Sequence, residues 1–168
     1  MKPHASLSLD LDNAWSYLKT RNDESWQSYP SYLDRVVPDV LATMDRHELA
    51  LTVFVVGRDA ALAANRDAMT LLGASRHEIG NHSYEHEPWI TGRSTAEIAA
   101  EIALAQDAIA GATGRRPSGF RSPGYALAPP VLEALGSLGF LYDGSSLPTC
   151  IGPLARAYYF ATAKMTPE

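Results

Sequence analysis

Leu49-Ala50-Leu51-Thr52-Val53-Phe54-Val55-Val56-Gly57 is the stretch whose reading decides the fold. It is apolar almost throughout, and a glycine closes it. A short run without polar alternation reads as a strand buried on both faces, the habit of parallel sheets. The flanks carry a different period. Upstream, Leu33 to His47 places Val36, Val37, Val40, Leu41 and Met44 at helical spacing, and Ala5 to Leu11 reads as a first strand. Between them, Ser16 to Tyr29 is polar and aromatic and reads as an inserted loop or lid. Downstream, Asp59 to Leu72 is an Ala- and Leu-rich helix with Gly73 as its expected C-cap.

The alternation continues. His77 to His82 reads as a short strand. Ser94-Thr95-Ala96-Glu97 is a capping box that opens a helix to about Gly111, with Ile98, Ile102, Ala105 and Ile109 on one face. Gly119-Phe120-Arg121 is a strand before the turn Ser122-Pro123-Gly124. Pro129 to Leu138 is a helix with Pro in its first turn, and Phe140 to Asp143 a further strand. Ala155 to Ala163 fits a strand or a helix equally well. Strand and helix in alternation give an α/β fold, parallel strands with helices outside. Its chemistry belongs at the carboxyl ends of the strands.

Bulk properties narrow the function. The 168 residues suit one domain spanning 1–168, and 46% apolar with 20% charged content is enough for a core. A net charge of −5 argues against nucleic acid as the main partner. No run of eighteen apolar residues suggests a membrane span. Met1-Lys2-Pro3-His4 runs straight into the first strand and leaves no room for a signal peptide, so a cytoplasmic location is expected. The single Cys150 cannot form an internal disulfide and fits a reducing compartment.

Two segments about seventy residues apart carry the chemistry. Ser8-Leu9-Asp10-Leu11-Asp12-Asn13 brings two carboxylates to the end of an apolar run, and His82-Ser83-Tyr84-Glu85-His86 brings two imidazoles four residues apart. One Asp and two His make a three-ligand set for a divalent metal with positions left for water and substrate. The second carboxylate is then free to act as a base. The two imidazoles share a face if Ser83 to His86 begins a helical turn. A zincin is a poor alternative, because it needs Glu directly after the first His and Ser83 stands there.

These residues resemble the polysaccharide deacetylase family, also called NodB-homology or carbohydrate esterase 4, from about Leu7 to Asp143. The family's Thr-Phe-Asp-Asp-Gly string appears as Ser8-Leu9-Asp10-Leu11-Asp12, with the second carboxylate displaced by one residue. Its His-Ser/Thr-x-x-His motif is matched by His82, Ser83 and His86. Its Arg-x-Pro turn is matched by Arg121-Ser122-Pro123-Gly124-Tyr125, and its fourth motif loosely by Tyr142-Asp143-Gly144-Ser145. The resemblance implies a distorted (β/α) barrel, here incomplete, with about five β/α units against the family's seven. It implies Asp12, His82 and His86 as metal ligands, most simply for Zn²⁺, with Co²⁺ or Mn²⁺ as alternatives. Asp10 would be the general base. The family's late Leu-x-His, whose His is the general acid, has no counterpart after His86, so the chain reads as the N-terminal part of a longer deacetylase.

On that basis Arg121 would hold Asp10 by a charge-assisted pair. Backbone N–H groups of Gly124 or Tyr125 would stabilise an oxyanion. Asp143 is either a remnant of the fourth motif or an Asp-Gly turn residue, and Ser83 orders the loop between the histidines. Trp15, Tyr17, Trp26, Tyr29, Tyr32 and Trp89 either line a sugar groove or pack the core. His4, His47 and His77 are given no role. The expected function is a metal-dependent hydrolase in which metal-bound water removes N- or O-acetyl groups from a glycan. The alternative is a metal- or sugar-binding domain without turnover.

Overall fold

The structure, a computed structural model, describes residues 5–146 and five later positions, Gly152, Leu154, Ala157, Tyr158 and Ala161. Those five are helical, and Cys150, His4 and the rest of the 155–163 segment lie outside the described residues.

Five parallel strands lie in sequence order, each hydrogen-bonded to the next: β1 (Ser8–Leu11), β2 (Thr52–Val55), β3 (Glu78–Asn81), β4 (Gly119–Phe120) and β5 (Tyr142–Asp143). Among residues 5–146 six α-helices connect them: α1 (Ala14–Thr20), α2 (Leu33–Arg46), α3 (Gly57–Ala61), α4 (Arg66–Ala74), α5 (Thr95–Thr113) and α6 (Pro129–Ser137). The register runs straight across, with Asp10 beside Phe54 and Phe54 beside Gly80. Successive strand residues point to opposite faces. Leu9, Leu11, Val53, Val55 and Ile79 accordingly meet Val37, Leu41, Met69 and Leu72 of α2 and α4 in one core. A second core joins Ile98 and Ile102 of α5, Phe120 of β4 and Val131 and Leu135 of α6.

The other face of the sheet is more polar and is stitched by side chains. Thr52 Oγ1 and the Tyr142 hydroxyl both donate to Glu78, at 2.7 and 2.8 Å. Among the described residues β1 and β5 each pair on one side only, so the sheet is an open arc, not a closed barrel.

Three details differ from the sequence reading. Ser16 to Tyr29 is not a loop: it holds most of α1 and a 3-10 turn, Glu24–Ser28. Helix α1 buries Trp15, Ser16 and Thr20, two of them polar, so it shows no apolar stripe. Asp59 to Leu72 is not one helix: Leu62 is extended, and a 3-10 turn at Ala63–Asn65 separates α3 from α4. Gly73 lies inside α4, whose C-cap is Ser75. A Cβ on Gly73 would stand 2.1 Å from the Thr113 carbonyl oxygen, so the glycine lets α4 and the end of α5 touch. The capping box at Ser94 and Glu97 forms as expected, and α5 runs to Thr113 before Gly114 closes it in a left-handed conformation.

Candidate metal and active site

Each of the first four strands delivers a polar side chain past its carboxyl end. Asp12 follows β1, Asp59 lies in the first turn after β2, His82 follows β3 and Arg121 follows β4. His86 arrives on the loop after His82.

The ligand atoms of Asp12, His82 and His86 all lie within 4.8 Å of one another. Asp12 Oδ1 is 3.5 Å from His82 Nε2 and 3.0 Å from His86 Nε2. Both histidines are buried. His82 Nδ1 donates to the Arg121 carbonyl at 2.6 Å. A carbonyl can only accept, so the proton of neutral His82 sits on Nδ1 and the Nε2 lone pair faces Asp12. Burial, then the charge of His86, pushes the His82 imidazole down to about 4 and keeps it neutral. Burial alone would raise the Asp12 carboxyl. The hydrogen bond and charge of His86, the charge of His82 and the Tyr17 hydroxyl outweigh it and hold the group well below the usual carboxylate range. Asp12 Oδ2 accepts from Tyr17 at 2.8 Å, while Asp12 Oδ1 is buried without a hydrogen bond that satisfies it. Two imidazole nitrogens and one ionised carboxylate oxygen, the oxygen otherwise orphaned, converge on a common point and fit a divalent ion such as Zn²⁺.

The expected helical turn between the histidines is absent. Ser83 and His86 have φ of 60° and 53° in the left-handed region, which non-glycine residues adopt at a cost. The loop is over-determined by its neighbours. Ser83 N–H donates to Asn81 Oδ1 and His86 N–H to Ser83 Oγ. Tyr84 and Glu85 N–H both donate to Glu101 Oε1, at 3.1 and 2.7 Å. The Ser83 and Tyr84 carbonyls accept from Gly57 and Arg58 N–H. A salt-bridge chain outside it ties Lys19 of α1 and Arg58 of α3 to Glu85, and Lys19 to Glu87.

Asp10 stands apart from the three ligand atoms. Its Oδ1 accepts from Arg121 Nη1 at 2.6 Å. Arg121 is fixed in turn by Ser8 Oγ, the Gly144 carbonyl and the Phe54 ring, whose centroid is 4.2 Å from the guanidinium carbon. The Tyr125 phenol is raised by its burial and then by the Asp10 charge, which places it on the same side. The turn after Arg121 has Gly124 at φ 61° and Tyr125 at φ 54°. Tyr125 N–H donates to the Ser122 carbonyl at 3.0 Å, so this amide is committed to the turn and is not the oxyanion donor expected of it. A Cβ on Gly124 would meet Pro88 at 3.0 Å. Asp143 has a turn-holding role: it accepts from Ser145 Oγ, which itself accepts from Ser122 N–H.

The aromatic set divides. Trp15 is buried, its Nε1 donating to Asp59 Oδ1 at 2.8 Å, and the Tyr32 hydroxyl donates to the Asp12 carbonyl. Neither lines a groove. Trp26 packs on Trp15 and stacks under Arg58. Tyr17 and Tyr29 are exposed, and Tyr17 has its ring 6.3 Å from His86.

Sequence reasoning missed Asn13, Asn81, Glu101 and Asp59. Asn13 caps α1 with its side-chain oxygen and donates from Nδ2 to Asp59 Oδ1 and Ser31 Oγ. Asp59 is fully buried. Burial pushes its carboxyl up to about 6 against the Trp15 and Asn13 hydrogen bonds. Its position after a strand end was the available signal, since Asp12, His82 and Arg121 share it.

A family model described as polysaccharide deacetylase matches residues 20–142. The chain belongs to the polysaccharide deacetylase family. It is 34% identical over 101 residues to the peptidoglycan-N-acetylglucosamine deacetylase PgdA of Listeria monocytogenes. That match covers 60% of this chain and 21% of the relative, so the chain spans only part of the curated protein's length. Two solved structures show the same fold. One is a family 4 carbohydrate esterase from Streptomyces lividans in complex with acetate (24% identity, 83% of this chain and 60% of that one, TM-score 0.63). The other is a carbohydrate esterase 4 pseudoenzyme from Bacillus anthracis (19% identity, 82% and 41%, TM-score 0.63). The open five-stranded sheet is thus part of a NodB-homology fold.

Proposed function

We propose that this chain carries the metal-binding and base-bearing part of a deacetylase that hydrolyses acetyl groups on a glycan. The observation that carries the reading is the convergence of Asp12 Oδ1, His82 Nε2 and His86 Nε2 beside an Asp10–Arg121 pair. A divalent ion held by Asp12, His82 and His86 would polarise the acetyl carbonyl and acidify a water at neutral pH. Asp10 accepts the proton of the attacking water. Arg121 aims Asp10 through its charge-assisted hydrogen bond. The Gly124 amide is the remaining member of the turn pair to donate to the oxyanion. Tyr17 fixes Asp12 Oδ2 and stands exposed at the mouth, where a sugar ring would approach. The likeness to PgdA favours an N-acetylglucosamine polymer over an O-acetylated one, and Zn²⁺ suits the donor set ahead of Co²⁺ or Mn²⁺.

The test is acetate release from N-acetylated chitooligosaccharide and from peptidoglycan by the Zn²⁺-loaded chain. Release that a chelator abolishes and Zn²⁺ restores supports the reading. Stoichiometric metal binding with no release on any acetylated glycan overturns turnover by this chain and leaves a binding domain.

A further inference from the structure

The two candidate ligand histidines are treated differently by the fold. A histidine that ligates through Nε2 carries its proton on Nδ1, and metal sites commonly tie that proton to a carbonyl or carboxylate. His82 has this tie, to the Arg121 carbonyl. His86 Nδ1 is buried and has no hydrogen-bond partner. Its Nε2 already faces Asp12.

Among the described residues the buried side-chain oxygens without a partner are Asp12 Oδ1, Asp59 Oδ2, Asn65 Oδ1 and the Ser122 hydroxyl. Asp12 Oδ1 lies on the ligand side of His86. Asp59 is the other carboxylate, fully buried, and it feels the charges of both His86 and Asp12. Its Oδ1 is spoken for by Trp15 Nε1 and Asn13 Nδ2 at 2.8 and 3.1 Å, which aims the carboxylate and leaves Oδ2 free. Asn13 is the residue after Asp12, so the same carboxylate also braces the peptide that carries the first ligand. A buried carboxylate with half its acceptor capacity unused is costly unless something completes it.

We propose that Asp59 is a positioning residue for His86: its Oδ2 accepts from one bridging water that in turn accepts the His86 Nδ1–H when Nε2 binds the metal. This rests on the reading of Asp12, His82 and His86 as a metal site. Asp59 touches neither metal nor substrate. It fixes the ring and raises the basicity of the nitrogen that ligates.

The test is Zn²⁺ and Co²⁺ titration of the chelator-stripped full chain in wild type, Asp59→Asn and Trp15→Phe. Asp59→Asn keeps the acceptor for Trp15 and Asn13 and removes the charge at Oδ2. The expected result is affinity about 10–100-fold weaker in Asp59→Asn with unchanged far-UV circular dichroism, and near wild type in Trp15→Phe. Equal affinity in wild type and Asp59→Asn overturns the proposal, as does an equal loss in Trp15→Phe, which would make Asp59 a packing residue. If Asp59→Asn does not fold, the Zn²⁺-loaded wild type decides through imidazole nitrogen NMR. A His86 Nδ1 proton protected from solvent like that of His82 supports the tie, and one exchanging freely overturns it. No binding by wild type at all would instead defeat the metal-site reading on which the proposal stands.

Discussion

Asp10 and Asp12 lie two positions apart and meet different partners. Asp12 faces two imidazoles and a phenol, and Asp10 faces a guanidinium. In the proposed function that separation gives Asp12 to the metal and Asp10 to the proton. Asp10→Asn is therefore expected to leave metal content unchanged and to lower acetate release by about 10²–10⁴-fold, the usual worth of a general base. A loss of metal in this variant would mean that the two carboxylates share one role. His82 gives a second prediction. Its folded imidazole titrates near 4 against 6.5 when unfolded. Between those values the unfolded chain binds a proton that the folded chain does not, so stability falls as pH falls. The loss from this residue is about 3 kcal/mol in the metal-free chain. Asp59 acts in the opposite sense, because its raised carboxyl keeps a proton in the fold that the unfolded chain has lost. Urea denaturation of metal-free His82→Gln between pH 4 and 6.5 should show stability that rises more as pH falls than in wild type, because the Asp59 contribution is then unopposed, and identical slopes would contradict it. Residue types and spacing made Asp10, Asp12, His82, His86 and Arg121 legible in the sequence. Asp59 was not, because a lone Asp in a helix first turn reads as an ordinary surface acid, and its burial depends on α1 folding over it.

The element that sets the site is the loop from Ser83 to His86, held in left-handed conformations by acceptors on other elements. Helix α5 supplies the largest share through Glu101, which takes two loop amides. Glu101→Ala should cost about 1–3 kcal/mol in chemical denaturation and weaken metal binding, since two buried donors lose their acceptor. Glu101→Gln keeps the acceptor and should lose much less. Equal metal affinity in wild type and Glu101→Ala would show that the loop keeps its shape without α5. No local pattern announces such a loop. Its conformation is a tertiary effect, and the i, i+4 spacing of the histidines suggested a helical turn for that reason. The same cause hid α1, whose buried face includes Ser16 and Thr20, and the break between α3 and α4. The two long helices were legible because each repeats one period over several turns, and β2 because its apolar run is unbroken.

Across the whole molecule, the strand ends bring Asp12, Asp59, His82 and Arg121 to one rim, and Arg121 reaches on to Ser8 at the start of β1 and to the Gly144 carbonyl after β5. The parallel direction of the strands followed from the alternation of elements. The opening of the sheet at β1 and β5 among the described residues followed from the count of β/α units. The central claim is that this rim assembles a metal site. Elemental analysis of the purified full chain, beside His86→Ala, tests it most directly. The account predicts about one Zn²⁺ or similar divalent ion per wild-type chain and its loss in the variant. The absence of metal from wild type after loading with Zn²⁺, or equal metal in both proteins, would contradict it.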